Sequence, residues 1–204
     1  MTEHVLRYND STHPSGFTLA IVPWLPWLAP LDVAALNETQ WAALVDPARA
    51  KSAYFRLLVR APAILAARTK TDKDIFYNPD GGLPRAEREL AATAVSRFNG
   101  CVYCASVHAR FAIAHAKRED DLMRLLEGGV DVDIDARWNA IIAASVALTE
   151  TPSSFGAPHI RQLQRVGLDD LAIADVINGA AFFNWANRLM LSLGEPVEPA
   201  PQPS

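Results

Sequence analysis

The sequence predicts an all-α protein, and three observations carry that prediction. Apolar residues recur at helical spacing along most of the chain. Helix-start and helix-stop residues punctuate those stretches. No run alternates polar with β-branched residues in the way a half-buried strand would. At 204 residues, half of them apolar and 21% charged, the chain can build one sizeable core. It reads as one domain over 37–198, an N-terminal arm over 1–36 and a flexible proline-rich tail over 199–204.

The elements follow in order. "FTLAIVPWLPWLAPLDVAAL" (17–36) is apolar, but Pro23, Pro26 and Pro30 each remove a backbone donor and Asp32 adds a charge. A membrane span needs about 20 residues with every backbone bond closed internally. The stretch therefore reads as an extended arm over apolar surface, anchored by Trp24 and Trp27. The first residues lack the basic region of a signal peptide. "LNETQWAALV" (36–45) offers Asn37 as N-cap with Gln40 at capping-box spacing. Residues 52–76 read as two helices divided near Pro62, because the residue before proline avoids the α region. "NPDGGLP" (78–84) is a break, and Pro84 suits the first turn of a helix over 85–98. Asn99-Gly100 ends that helix and 101–116 is the next. Helices over 119–129, 135–150, 154–166 and 168–193 complete the set, the last breaking near Asn178-Gly179.

Composition narrows the function. The formal charge of −4, with no basic cluster, argues against nucleic acid or an anionic membrane as partner. The two cysteines cannot staple a secreted scaffold, which favours a reducing cytoplasm. Both lie in "FNGCVYCASVHARFA" (98–112), two residues apart. Packing, half of a zinc site or a redox pair would each explain them.

On a helix at about 100° per residue, Cys101, Cys104 and His108 share one face within roughly 60°. His108 lies one turn beyond Cys104, where an imidazole can take or return a thiol proton. Both cysteines lie in the first turn, where the macrodipole favours a thiolate. A thiolate beside a second thiol reacts with an oxidant and then closes a disulfide. A hairpin at Asn99-Gly100 would bring Glu89, Thr93 and Ser96 alongside as a polar seam, with Glu89 placed to orient His108 or relay a proton. The zinc reading lacks a second cysteine pair, leaving only His108 and Glu89 as further ligands. A thioredoxin fold would need βαβ units that the chain does not show. His115 reads as a surface or interface residue, Tyr103 as a packing residue facing away from the cysteines, and His159 has no assigned role.

The pattern Glu89-x11-Cys101-x2-Cys104-x3-His108 resembles the core motif of AhpD-like alkylhydroperoxidases in the carboxymuconolactone decarboxylase superfamily. The stretch 83–112 resembles that core throughout, with the redox core spanning about 83–116. Residues 180–198 and the long N-terminal half resemble its peroxidase-related subgroup. The resemblance implies an AhpD-like helical bundle completed by oligomerisation, as a dimer or an assembly of dimers. It implies a peroxide substrate, a dithiol reductant whose identity stays open, and no metal or other cofactor. It implies Cys104 as the peroxidatic thiol, Cys101 as the resolving thiol, and His108 with Glu89 as the proton relay. The macrodipole alone would favour Cys101 as the low-pKa thiol; the neighbouring base and the resemblance favour Cys104, which is the expectation. Tyr103 departs from the best-known pattern, which has histidine there. Decarboxylase members lack the cysteine pair, which disfavours lactone decarboxylation. A disulfide reductase or redox-sensing protein would use the same pair and stands as the alternative.

Overall fold

A computed structural model describes residues 5–9 and 11–198; the expected flexible tail, 199–204, lies outside the described residues. The protein is all-α. Helices run over α1 (Glu38–Leu44), α2 (Ala53–Leu58), α3 (Pro62–Tyr77), α4 (Arg85–Phe98), α5 (Val102–Ala116), α6 (Glu119–Gly128), α7 (Ala136–Thr149), α8 (Ala157–Arg165) and α9 (Asp170–Leu193). Two short 3-10 turns, Val33–Ala35 and Pro47–Lys51, join them. Among the described residues the only sheet is an antiparallel pair of three-residue strands, β1 (Trp24–Pro26) and β2 (Gly194–Pro196). No described helix is long and apolar enough to cross a membrane.

Local chemistry sets the boundaries. Asn37 accepts from the Gln40 amide while the Gln40 side chain accepts from the Asn37 amide, closing the capping box of α1. Pro62 opens α3, in the first turn, where its missing N–H costs nothing. Pro84 stands one position earlier than expected, as the N-cap of α4. Asp135 and Asp169 cap α7 and α9 through their carboxylates. The expected break at Asn178-Gly179 does not occur: α9 runs unbroken through it. Gly179 is buried there, and so are its helix neighbours Val176, Ala180 and Phe183. Their packing outweighs the helix penalty of about 1 kcal/mol that one glycine carries.

Helix α4 is the axis. It packs against α5, α7 and α9, and every residue from Glu87 to Ser96 is buried. Its apolar positions join the main core, with Leu90, Ala91 and Ala94 against Leu122, Ile141 and Val176. A helix buried on every side leaves its polar side chains no access to water, so each needs an internal partner. Glu87 takes a two-pronged bond from Arg137, at 2.7 Å for each oxygen. Arg88 donates to the carbonyls of Leu83, Ile75 and Asn78. Thr93 and Ser96 donate back to the carbonyls of Glu89 and Ala92.

The arm packs on its own chain. Phe17 and Leu19 rest on the main core, and Arg97 covers the Phe17 ring at 4.1 Å. Trp24 meets Tyr54 edge-on, with ring centres 5.8 Å apart. Trp27 is tied by its backbone to Leu6 and Leu193. Both expected anchors are half-buried within the protomer. The strand pair clasps the arm to the end of α9, and Gly194 is where the two backbones come closest. A Cβ on Gly194 would stand 2.2 Å from the Leu25 carbonyl oxygen and 2.4 Å from the Trp24 ring. We expect Gly194→Ala to loosen the clasp and cost about 1–3 kcal/mol. Chemical denaturation should show it as a lower midpoint, accompanied by faster proteolysis within 17–36. An unchanged midpoint and digestion pattern would show that the clasp has slack.

Candidate active site

A tight reversal between α4 and α5 builds the site. Gly100 has φ +78, a left-handed conformation that a side chain would strain. The Cys101 amide donates to the Ser96 carbonyl at 2.9 Å and the Gly100 amide to that of Arg97 at 3.4 Å. These two bonds form a Schellman motif, which ends α4 and turns the chain back on itself. Cys101 then becomes the N-cap of α5 and Cys104 sits in its first turn. The expected helical hairpin therefore forms, and it lays Glu89 beside His108.

Glu89 is 1% exposed. His108 Nδ1 donates to its Oε2 at 2.5 Å, and Arg85 donates to its Oε1 through Nε at 2.7 Å, with Nη2 in ion-pair contact with the same oxygen at 2.5 Å. The guanidinium compensates the buried carboxylate, and the hydrogen bond fixes the imidazole. With Nδ1 committed to Glu89, Nε2 is the nitrogen left to exchange a proton. The ring is held between Phe76, stacked at 5.4 Å, and Phe183, edge-on at 4.2 Å. Arg85 and both phenylalanines carried no signal in the sequence: a charge at the start of a helix and aromatics at helical spacing read as surface and core.

A cavity of about 200 Å³ opens onto this relay and is lined by Cys104, His108 and Glu89. Cys101 does not line it and is 1% exposed; Cys104, at 6%, presents the pair to the cavity. Both thiols are free. Tyr103 also lines the cavity, which corrects its expected orientation: two neighbouring residues of the first turn of α5, Tyr103 and Cys104, both line it, so the cavity wraps more of the helix than the cysteine face. Thr93 and Ser96 are buried, and each donates to a carbonyl of its own helix. His115 is exposed. His159 accepts from the Gly156 amide, which closes the start of α8 and is a structural role. Among the described residues no group of three histidine, cysteine or carboxylate side chains gathers to hold a metal ion.

The two thiols share a proton unequally. Donation from the Cys104 thiol lowers the pKa of Cys101 from its ordinary value despite burial. The Cys104 backbone amide and the Asn187 side-chain amide act in the same direction. Cys104 is raised, first by giving its proton to Cys101, then by burial and by the Cys101 charge. Of the two, Cys101 is the more readily ionised thiol, as the macrodipole argument favoured, while the thiol facing the cavity is Cys104. Asn187 is fully buried, donates to Ser96 Oγ at 3.1 Å and accepts from Asn99 at 3.2 Å. No local sequence signal points to it, because it reaches the cysteines from α9, more than eighty residues away.

Residues 62–146 match the carboxymuconolactone decarboxylase family. That segment contains Glu89, Cys101, Cys104 and His108 and includes the whole of the stretch 83–112. The whole fold is shared more widely than the matched segment. A peroxidase-related protein of Ralstonia eutropha JMP134, with an alkylhydroperoxidase AhpD core, superposes with TM-score 0.68 and 21% identity over 85% of this chain and 90% of its own. A peroxidase-related protein of Silicibacter sp. TM1040 gives TM-score 0.68 and 20% identity over 92% and 94%. The debrominase Bmp8 gives TM-score 0.67 and 17% identity over 83% and 90%. At these identities the likeness is one of fold. No curated protein is significantly similar in sequence.

The proton sharing has a measurable consequence. In Cys104→Ala, Cys101 loses the donor that favours its thiolate, so its pKa should rise. In Cys101→Ala, Cys104 loses both its acceptor and the neighbouring negative charge, so its pKa should fall. Thiolate absorbance against pH checks both, and shifts of the opposite sign would reverse the arrangement.

Proposed function

We propose that the protein is a thiol-dependent peroxidase that reduces alkyl or hydrogen peroxides through the Cys101–Cys104 pair. One observation carries this reading: the same small cavity is lined by Cys104 and by a histidine locked onto a buried carboxylate, with a second thiol directly behind the first. The fold alone could not carry it, since a debrominase shares that fold.

The steps balance as follows. A hydroperoxide enters with its distal oxygen toward Cys104. His108 Nε2 takes the Cys104 proton, and Glu89 stabilises the imidazolium so formed. The sulfur forms a bond to the distal oxygen as the O–O bond breaks, leaving a sulfenic acid and an alkoxide. His108 returns its proton to the alkoxide, which leaves as the alcohol. The Cys101 thiolate then attacks the Cys104 sulfur; a disulfide forms and the displaced hydroxide is protonated to water. The peroxide has been reduced by two electrons and the cysteine pair oxidised by two. An external dithiol, slim enough to enter the cavity, restores the pair by exchange. The burial of both thiols disfavours the alternative of a reductase for exposed protein disulfides, since such a substrate could not reach them.

Steady-state peroxide consumption with a dithiol donor tests the reading. Cys104→Ser should abolish turnover. Cys101→Ser should react once and hold a sulfenic acid on Cys104. His108→Ala should slow the first oxidation by roughly 10²–10³-fold, the scale of a lost general base. Sulfenic acid formation at the wild-type rate in Cys104→Ser would make Cys101 the nucleophile and overturn the mechanism.

A further inference from the structure

We propose that Arg68 and Tyr54 form an anion anchor in the Cys104 cavity, and that the substrate carries a carboxylate or comparable anionic group. That the anionic molecule is a hydroperoxide rests on the peroxidase reading; that it is anionic does not.

Arg68, on α3, is 9% exposed and lines the cavity. Its Nε and Nη1 are buried with no hydrogen-bond acceptor among the described residues. Its counter-ion is Asp72, whose Oδ2 stands 3.7 Å from Nη1, too far for a hydrogen bond. The same oxygen is held by Arg49 at 3.3 Å. Two guanidiniums thus share one carboxylate and leave one positive charge over. Arg85, the other guanidinium of the cavity, is spent on Glu89 and the Phe76 carbonyl. Arg68 alone keeps donors for a ligand.

A buried cation with unmet donors is costly unless an acceptor reaches it. The rings of Phe55 and Phe182, 5.4 and 5.3 Å from its Cζ, hold the guanidinium in place but supply no acceptor oxygen. Tyr54 lines the cavity with it, and burial pushes the phenol up to about 12. It is therefore a neutral hydroxyl at ordinary pH. A rigid guanidinium fork next to a phenol matches a carboxylate, which can accept two parallel bonds. The cavity, about 200 Å³, falls below the roughly 300–1,000 Å³ of sites for drug-sized ligands. The ligand is therefore small: one ring or a short chain, with the anion at Arg68 and the reacting oxygen at Cys104.

Arg68 could instead serve only to ease ionisation of Cys104, whose pKa its charge lowers. Two alkylating reagents of nearly equal shape separate these roles. Iodoacetate and iodoacetamide both lose iodide to the same thiolate, so the thiolate population cancels in the ratio of their rates. The ratio should be measured on Cys104 in the Cys101→Ser protein, with N-acetylcysteine as reference in the same buffer. An anion anchor should raise it about tenfold above the reference, the scale of one charge-assisted bond. Arg68→Met should return it to the reference. Without any change at Arg68, benzoate but not benzamide should protect Cys104 from iodoacetamide. A ratio at or below the reference, or equal protection by benzoate and benzamide, would overturn the anchor. A raised ratio in a protein that consumes no hydroperoxide would keep the anchor and reject the peroxidase. Hydroperoxide turnover with the ratio at the reference would do the reverse.

Discussion

A carboxylate in the middle of a fully buried helix constrains everything around it. Glu89 cannot be hydrated, so its charge survives only with partners on both oxygens, and Arg85 and His108 supply them. Removing one partner of such a buried pair costs about 3–5 kcal/mol. The same contacts that make the charge tolerable also orient the imidazole. Arg85 must then come from the first turn of α4 and His108 from α5, so the α4–α5 reversal has to be tight. The Schellman turn at Gly100 makes it so, and this places Cys101 and Cys104 at the start of α5. Stability of the core and geometry of the relay are therefore one arrangement.

The division between the thiols follows from that placement. Cys101, sealed under the turn, receives the donors that favour a thiolate. Cys104, one turn along, keeps its proton and faces the cavity. Low pKa and access are thus assigned to different sulfurs. A nucleophile needs access first, and its proton can be taken by His108 in the same step. A resolving thiol needs to be ionised when the sulfenic acid appears, and it meets only that one partner. The separation shields the more acidic thiol from oxidants that cannot enter the cavity.

The parts that were legible in the sequence are those held by local chemistry. Asn37 with Gln40, Pro62 and Asn99-Gly100 each specify a boundary within a few residues, and each boundary formed. The relay was legible because Glu89, Cys101, Cys104 and His108 lie on two consecutive helices joined by one turn, so the helical period nearly fixes their placement. What was not legible depends on chain brought from afar. Arg68 and Tyr54 arrive from α3 and α2 and Asn187 from α9, and neither spacing nor composition marks them. Gly179 failed as a break signal for the same reason: packing against α3 and α4 overrides a local preference. Tyr103 was misplaced because a cavity, unlike a flat face, admits side chains from more than one direction around the helix.

The claim on which the account depends most is that Glu89 holds His108 by its Nδ1 hydrogen. Imidazole nitrogen NMR of the reduced protein with isotope-labelled histidine measures this directly. The account predicts a proton on Nδ1 of His108, with a far-downfield, exchange-protected resonance that moves upfield in Glu89→Gln while the helical spectrum is retained. A His108 ring with a bare Nδ1 and its proton on Nε2 would contradict it, because an ionised carboxylate can only accept.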